Sequence, residues 1–570
     1  MIREYKYKIR VQKKEELEPE EILFDSDEKK KEEKGRLEVP IRDTIFLIVL
    51  TFIFLIFISL FTRSLFLIEV RGEELRAKAS ENYLKNIYIE APRGLILSED
   101  GVLLTKNIKN DSKEKPFDRY YPNSFYFSSI IGYSRQATKE EIESDPSYYR
   151  LGDWIGKDGL EKEYEIHLRG EKGIREKIIN AKGEVLSDQI TKEPVQGNSL
   201  VLNINAALQK KVFDALKKGA GNKNAAAIAL NPQNGKVLAL VSLPSDNNNI
   251  FSGKLSAEEL EELESNKKIN NPNWVLSGLY PPGSIIKPLI AAAALEENIV
   301  NPSTSIDCRG RVVIPNPWDS SNPSVKKDWK THGVTNLKKA IAQSCNIYFF
   351  TVGGGYDDIK GLGISLIKKY LDLFYIEKEV GIDLPGENVG FVPSADWFKK
   401  EREELEKRNW SIADIYDVSI GQGYFSTTPL HMAVALSSIA NGGKIYQPQI
   451  VDRIEDVSKR TILDITPKVL KEDFIKKENI DAVRKGMREC VLTGSCRQLL
   501  SLPVSSGGKT GTAEAPGDKE PYAWFVSFAP YEKPEIILLV MIEYGGGGEK
   551  VAEPIAEEVL QWYFESNKPK

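Results

Sequence analysis

Tyr280–Glu297 reads YPPGSIIKPLIAAAALEE, and it decides the architecture by placing a hydroxyl and an amine at the head of a long apolar helix. Ser284 and Lys287 stand three residues apart. On a helix, positions i and i+3 share a face, so the amine can reach the hydroxyl. Pro281-Pro282-Gly283 forces a turn immediately before, and Pro288 is tolerated only within about the first helical turn. The pattern predicts Ser284 at a helix N-terminus, where the positive end of the dipole stabilises a developing oxyanion. A serine hydroxyl is inert near neutral pH until a base takes its proton. A lysine whose ammonium is destabilised by burial or by a neighbouring cation is such a base. Spacing alone carries little, because Ser26, Ser112, Ser265, Ser324, Ser365 and Ser506 also have Lys at i+3. None of those six opens a long apolar helix behind Pro-Pro-Gly.

Around this focus the chain has 570 residues, enough for about three or four domains. Its 41% hydrophobic and 28% charged residues are ordinary for a folded protein and exclude wholesale disorder. A net charge of -5 argues against a nucleic-acid binder, which would show a basic excess. Four cysteines exclude a disulfide-stapled scaffold, and three histidines leave few candidates for histidine-based catalysis. One segment departs from the soluble pattern. Thr44–Thr62 holds 19 uncharged residues, which as a helix span about 28 Å, close to the hydrocarbon thickness of a bilayer. No small-residue cleavage site follows, so the span reads as a retained anchor rather than a signal peptide. Six basic residues precede Asp43 within fifteen positions (Lys29, Lys30, Lys31, Lys34, Arg36, Arg42), and four follow the span (Arg63, Arg71, Arg76, Lys78). That imbalance places the N-terminal tail in the cytoplasm.

The expected organisation is a tail at 1–43, an anchor at 44–62, a pedestal domain at 63–196 and a large domain at 197–570. The pedestal carries short apolar runs and many turns, with no nucleophile and partner of its own, and reads as β-rich. From Ser199 the character changes. SLVLNI reads as a strand, AALQKKVFDALKKGA as an amphipathic helix, and two apolar runs flank Asn234-Gly235, a strong hairpin signal. Three more strand-like runs close the chain: GKTGTAE, AWFVSFAP and EIILLVMIEY. This order predicts an α/β (α+β) domain with a largely antiparallel sheet built from both ends of the segment and flanked by helices.

Two further elements follow the nucleophile. Ser344-Cys345-Asn346 lies at the junction of a helix with an aromatic run, offering a second hydroxyl and an amide. Lys509-Thr510-Gly511-Thr512 lies on a strand with glycines on both sides, which let a substrate backbone approach its edge. Alone, the first reads as a helix end and the second as a glycine-rich edge strand. Taken in order, S-x-x-K, S-x-N and K-T-G are the set found in penicillin-binding proteins and class A β-lactamases.

From about Ile68 onward the chain resembles a class B penicillin-binding protein. Within that family it is most similar to the elongation-type group, penicillin-binding protein 2, through YPPGS and the DWKTHG and LKKAIAQSCNIYFF stretches. The division paralogue is the nearest alternative, and a β-lactam sensor or β-lactamase shares the nucleophile motif. The resemblance implies a peptidoglycan D,D-transpeptidase acting on stem peptides ending in D-Ala-D-Ala, trapped by β-lactams, with no glycosyltransferase module. Ser284 would be the nucleophile, Lys287 its base, Ser344 and Lys509 the proton relay, and Asn346 the contact to the acyl-side amide. Thr510, Gly511 and Thr512 would line the site of the terminal carboxylate, with the N–H groups of Ser284 and Thr512 as oxyanion hole. Implied partners are a SEDS-family membrane glycosyltransferase and elongation-complex scaffold proteins, at the bacterial inner membrane with the catalytic domain outside the cytoplasm.

No cofactor is required by that chemistry. Cys308, Asp328, His332 and Cys345 nevertheless fall within 38 residues and supply a donor set that suits tetrahedral zinc. The resemblance supports a structural metal near this position, with Asp307 as an alternative ligand. The competing reading is two buried free thiols and a surface histidine. Cys490 and Cys496 are close enough to pair, and a free pair is equally compatible with their spacing.

Overall fold

A computed structural model describes residues 43–75, 84–179, 184–252, 272–315, 321, 323–402 and 411–566. The tail expected at 1–43 lies outside the described residues, save Asp43. Helix α1 (Asp43–Glu69) is longer than the 19-residue apolar span, because Ser64–Ile68 continues the apolar run beyond Arg63 without a breaker. Its hydropathy and length suit a membrane crossing.

Residues 84–570 form a second compact unit. Strands β1 (Leu84–Ile89), β3 (Gly173–Ile179) and β4 (Val185–Lys192) make an antiparallel sheet, and the short β2 (Ile96–Leu97) pairs in parallel with β5 (Ser199–Leu202). Beside them lies a buried ionic cluster. Arg93 Nη2 contacts Glu161 Oε2 and Glu165 Oε2 at 2.6 Å each, and Arg119 Nε contacts Glu161 Oε1 at 2.7 Å. The Tyr149 hydroxyl and the Gly156 N–H also donate to Glu165. Two guanidiniums around a wholly buried Glu161 hold its carboxyl below the usual carboxylate range, against the opposing effect of burial, which is the larger single influence.

The larger part opens with helix α2 (Ala206–Ala220), capped by Asn205, whose side chain accepts from the Leu208 N–H at 2.9 Å. Strands β6 (Ala225–Leu230) and β7 (Val237–Leu243) form the hairpin signalled by Asn234-Gly235, with Gly235 left-handed at φ 78°. Helices α3 (Lys287–Glu296), α4 (Leu337–Ala342), α5 (Asn346–Gly354) and α6 (Pro429–Asn441) follow, then strand β8 (Val451–Glu455), which pairs with β5. Helix α7 (Lys477–Leu492), strands β9 (Gly507–Ala513), β10 (Tyr522–Ala529) and β11 (Ile536–Ile542), and helix α8 (Gly548–Ser566) complete the chain.

The central sheet has the order β7-β6-β11-β10-β9, with every neighbour antiparallel. Period-2 alternation sends Ala225, Ala227, Leu538 and Val540 against α2 and α8, and Ala226, Ile228, Leu539 and Met541 toward the core that holds α3 and α6. Because both faces are covered, these strands read as continuous apolar runs rather than alternating ones. β9 is left as the open edge beside α3, and the glycine-rich K-T-G segment lies on it.

Removing one partner from a buried ion pair strands the others without compensation. Glu161→Ala should therefore lower stability by about 3–5 kcal/mol, read as a lower denaturant midpoint, whereas Lys139→Ala, an exposed pair with Glu143, should leave it within experimental error.

Candidate active site

Ser284 sits on a 3-10 turn, Gly283–Ile286, that runs directly into α3 at Lys287. The sequence placed Ser284 at the start of an α-helix; the structure tightens that first turn, because Gly283 adopts φ 57° and is wedged between two other segments. Its N–H donates to the Gly421 carbonyl at 2.9 Å. A Cβ on Gly283 would lie 2.7 Å from the Thr512 carbonyl, and one on Gly421 would lie 2.3 Å from the Gly283 carbonyl. Trp524 Nε1 on β10 donates to the Pro281 carbonyl at 3.0 Å, which fastens the turn to the sheet.

The second element is a left-handed kink. Ser344 stands at φ 56° between α4 and α5, a conformation that costs a non-glycine residue on the order of 1–3 kcal/mol. Capping of α5 holds it there. Asp328 Oδ2 accepts from the Asn346 N–H at 2.8 Å and the Ile347 N–H at 3.1 Å, and Cys345 Sγ accepts from the Tyr348 N–H at 3.4 Å. The kink turns the Ser344 hydroxyl toward two buried amines. Lys287 Nζ donates to the Ser344 carbonyl (2.8 Å), the Ser344 hydroxyl (3.2 Å) and Asn346 Oδ1 (2.6 Å). Lys509 Nζ donates to the same hydroxyl at 2.9 Å and to the Thr510 carbonyl at 2.8 Å.

The i, i+3 spacing predicted contact between Lys287 and Ser284, but the three ammonium donors of Lys287 all have acceptors in the Ser344–Asn346 segment. No hydrogen bond joins Lys287 to Ser284 among the described residues. Both lysines are fully buried. Burial pushes Lys287 down to about 8, and it pushes Lys509 down too, with Lys287 as the second cause. Two ammonium groups around one hydroxyl cannot both hold their protons cheaply, so the pair surrenders its first proton more readily than a lone lysine does.

The open edge of β9 forms the third wall. In an antiparallel ladder a residue's N–H and C=O point to the same side. The Thr510 carbonyl accepts from Lys509 Nζ and the Thr512 carbonyl from Gln422 Nε2 at 3.5 Å, so both residues turn their N–H toward the open edge rather than toward β10. The Thr512 N–H thus lies on the side of the Ser284 turn. Gly511 allows that approach, since a Cβ there would meet Ile285 Cγ2 at 2.8 Å. The two threonine hydroxyls are not left free by the fold. Thr510 Oγ1 lies 2.6 Å from Ser495 Oγ, and Thr512 Oγ1 accepts from the Gly548 N–H at 3.2 Å.

Cys308, Asp328, His332 and Cys345 converge behind the Ser344 kink. One ligand atom each from Asp328, His332 and Cys345 lies within 4.8 Å of the others, and Cys308 Sγ is 2.9 Å from Cys345 Sγ. His332 Nδ1 faces Gln343 Oε1 at 3.3 Å, a contact that suits the tautomer with its proton on Nδ1 and a lone pair on Nε2. That Nε2 is buried, 3.5 Å from Asp328 Oδ2 and without a hydrogen-bond partner. An orphaned imidazole nitrogen facing thiol and carboxylate donors fits a tetrahedral divalent metal. Asp307 does not join them. Strand alternation over Ser305–Cys308 turns it outward, and it pairs with Arg309 at 2.7 Å.

Sequence reasoning gave no role to Ser495 or Gln422, which touch β9 from loops outside the three motifs. It also missed the capping role of Asp328. Cys490 and Cys496, left undecided by their spacing, are joined in a disulfide.

Comparison with known proteins matches residues 225–561 to the penicillin binding protein transpeptidase domain and residues 112–202 to the penicillin-binding protein dimerisation domain. The peptidoglycan D,D-transpeptidase MrdA of Haemophilus influenzae is 31% identical over 486 residues, covering 80% of this chain and 70% of that protein. The MrdA of Acinetobacter baumannii is 32% identical over 469 residues, covering 78% of this chain and 66% of that one. Among solved structures, Pseudomonas aeruginosa PBP2 in complex with WCK 5153 superimposes with a TM-score of 0.72 at 29% identity, over 85% of this chain and 98% of that one.

A buried amine acts as a base only when neutral. Acylation by a fluorescent penicillin should rise with pH along a limb whose midpoint lies at about 8. Lys287→Ala should lose that limb and about 10²–10⁴-fold in rate, read from label incorporation over time at a series of pH values.

Proposed function

The chain belongs to the penicillin-binding protein transpeptidase family, and from that membership we propose that it is a peptidoglycan D,D-transpeptidase of the elongation type. The observation that carries the chemistry is the convergence of the Lys287 and Lys509 amines on the Ser344 hydroxyl, beside the turn that presents Ser284. The Ser284 Oγ attacks the carbonyl of the penultimate D-Ala of a stem peptide, and its proton passes to neutral Lys287. The tetrahedral oxygen is held by the N–H groups of Ser284 and Thr512. Collapse expels the terminal D-Ala, whose amine takes a proton through Ser344, with Lys509 behind it, and leaves an acyl-serine. Asn346, whose Oδ1 is occupied by Lys287, offers its Nδ2 hydrogens to the acyl-side amide carbonyl. Thr510 and Thr512 receive the terminal carboxylate, with Gly511 allowing the close approach. An amine from a neighbouring stem then displaces Ser284 and forms the cross-link. A β-lactam enters as the donor does and stops at the acyl-enzyme.

Residues 63–196 are the pedestal and 197–570 the transpeptidase domain in this reading. The basic excess before α1 supports an N-terminal tail in the cytoplasm and a catalytic unit on the outer side of the membrane. A solved complex of the Helicobacter pylori relative with MreC, 25% identical with a TM-score of 0.69, supports an elongation-complex scaffold as partner. A chain of a solved peptidoglycan synthase complex that coordinates polymerization and crosslinking, 25% identical with a TM-score of 0.70, supports a glycan polymerase as partner, and its assignment to the SEDS family rests on the family resemblance.

The metal in this reading is a structural Zn²⁺ held by Cys308, Asp328, His332 and Cys345. It would fix the Ser344 kink and take no part in the reaction. Purified full-length protein should carry about one zinc per chain by elemental analysis, and His332→Ala should lose it; zinc-free wild type with full acylation would overturn the assignment.

The decisive experiment on the reaction is intact mass after incubation with a penicillin, followed by peptide mapping. A lasting adduct on Ser284, together with cross-linked dimers from stem-peptide donors and acceptors, is the expected result. Rapid loss of the adduct would instead indicate hydrolysis, and an adduct on another residue would overturn the site.

A further inference from the structure

The segment after α7 touches both walls of the cleft although no catalytic motif lies in it. The Ser495 N–H donates to the Ala342 carbonyl at 3.2 Å, two residues before the catalytic kink, and its hydroxyl lies 2.6 Å from Thr510 Oγ1 on β9. Gly494 makes this fit possible, since a Cβ there would be 2.1 Å from the Ala342 carbonyl. The loop is closed on itself by the Cys490–Cys496 disulfide and by the Cys496 N–H donating to the Cys490 carbonyl at 3.0 Å. Both sulfurs are buried, and Cys496 Sγ packs 3.5 Å from the position of a Cβ on Gly508 of β9. Ser495 itself is only half-buried.

A hydroxyl has one hydrogen to donate. Were Thr510 to donate to Ser495, it would have none left for an anion. With Ser495 donating to Thr510, the Thr510 hydrogen is free, and each bond in such a chain strengthens the next. We propose that Ser495 is a positioning residue for carboxylate recognition, which donates to Thr510 Oγ1 and turns the Thr510 hydrogen to the terminal carboxylate of the donor, and that the Cys490–Cys496 disulfide holds it there. The inference rests on Thr510 as a carboxylate-binding residue and extends that reading to a loop outside the three motifs.

The test uses full-length protein in detergent and two probes, a penicillin free acid and its methyl ester, with the ratio of their second-order acylation rates as the readout. Ser495→Ala should lower the acid-to-ester ratio about tenfold, and Ser495→Thr should restore it. The double variant Cys490→Ala/Cys496→Ala should lower the ratio in the same direction, with little further loss when Ser495→Ala is added. An unchanged ratio in Ser495→Ala, or an equal fall on both probes, overturns the proposal; an unchanged ratio in the cysteine variant removes the disulfide from it. Should the cysteine variant fail to fold, the two Ser495 variants still decide. Thr510→Val separates the two levels. An unchanged ratio there means that the reading of Thr510 is wrong, whereas a collapsed ratio beside an intact one in Ser495→Ala means that this inference alone has failed.

Discussion

Two buried lysine amines share one serine hydroxyl, and most of the catalytic domain is arranged around keeping that contact. Lys287 and Lys509 come from a helix and an edge strand more than two hundred residues apart, and both meet Ser344 Oγ within 3.2 Å. Water would satisfy either ammonium better, so the site must exclude it and supply fixed acceptors instead. It does so with the Ser344 carbonyl, Asn346 Oδ1 and the Thr510 carbonyl. Burial and mutual repulsion then favour loss of a proton from the pair. That is how amines with ordinary pKa values above ten come to give up a proton closer to physiological pH.

The contact depends on backbones lying closer together than side chains allow. Gly283, Gly421 and Gly511 each stand where a Cβ would collide with a neighbouring backbone or an isoleucine methyl. These three positions bring the Ser284 turn, the loop before α6 and the edge strand to one point. Their cost is the loss of side chains that would pack, and the sheet behind them compensates with two fully covered apolar faces. The left-handed kink at Ser344 is a second local cost, met by the Asp328 carboxylate and Cys345 at the head of α5.

Much of this was legible in the sequence, for reasons that differ by element. The three motifs announced themselves because catalysis fixes residue types at short spacing, and the terminal strands because both faces are apolar. Anchor length was underread, since the charge on Arg63 masks the apolar run beyond it. Lys287 was read toward Ser284 because helical spacing reports which residues share a face, but not which of several nearby acceptors the side chain selects. The contact between Thr510 and Ser495 was not legible, because the Ser495 hydroxyl reaches Thr510 from a loop fifteen residues away in sequence, a relation that no local pattern encodes. Asp307 and Cys308 were separable only once strand alternation was known to turn one outward and the other in.

The four cysteines fall into two pairs, and each pair stands behind one wall of the cleft. Cys308 and Cys345 lie under the kink that carries Ser344, and Cys490 and Cys496 close the loop that reaches Thr510. No cysteine sits where it would attack a substrate. The Cys490–Cys496 disulfide closes a loop that reaches the edge strand and restrains its backbone, whereas Cys308 and Cys345 are free thiols that would restrain the kink only through a bound metal. The two pairs need not use the same chemistry. The first has histidine and carboxylate donors beside it and suits a metal, whereas the second has only a serine hydroxyl at hand and is already covalently joined. The neighbours of each thiol, rather than the thiols themselves, decide which kind of restraint is available.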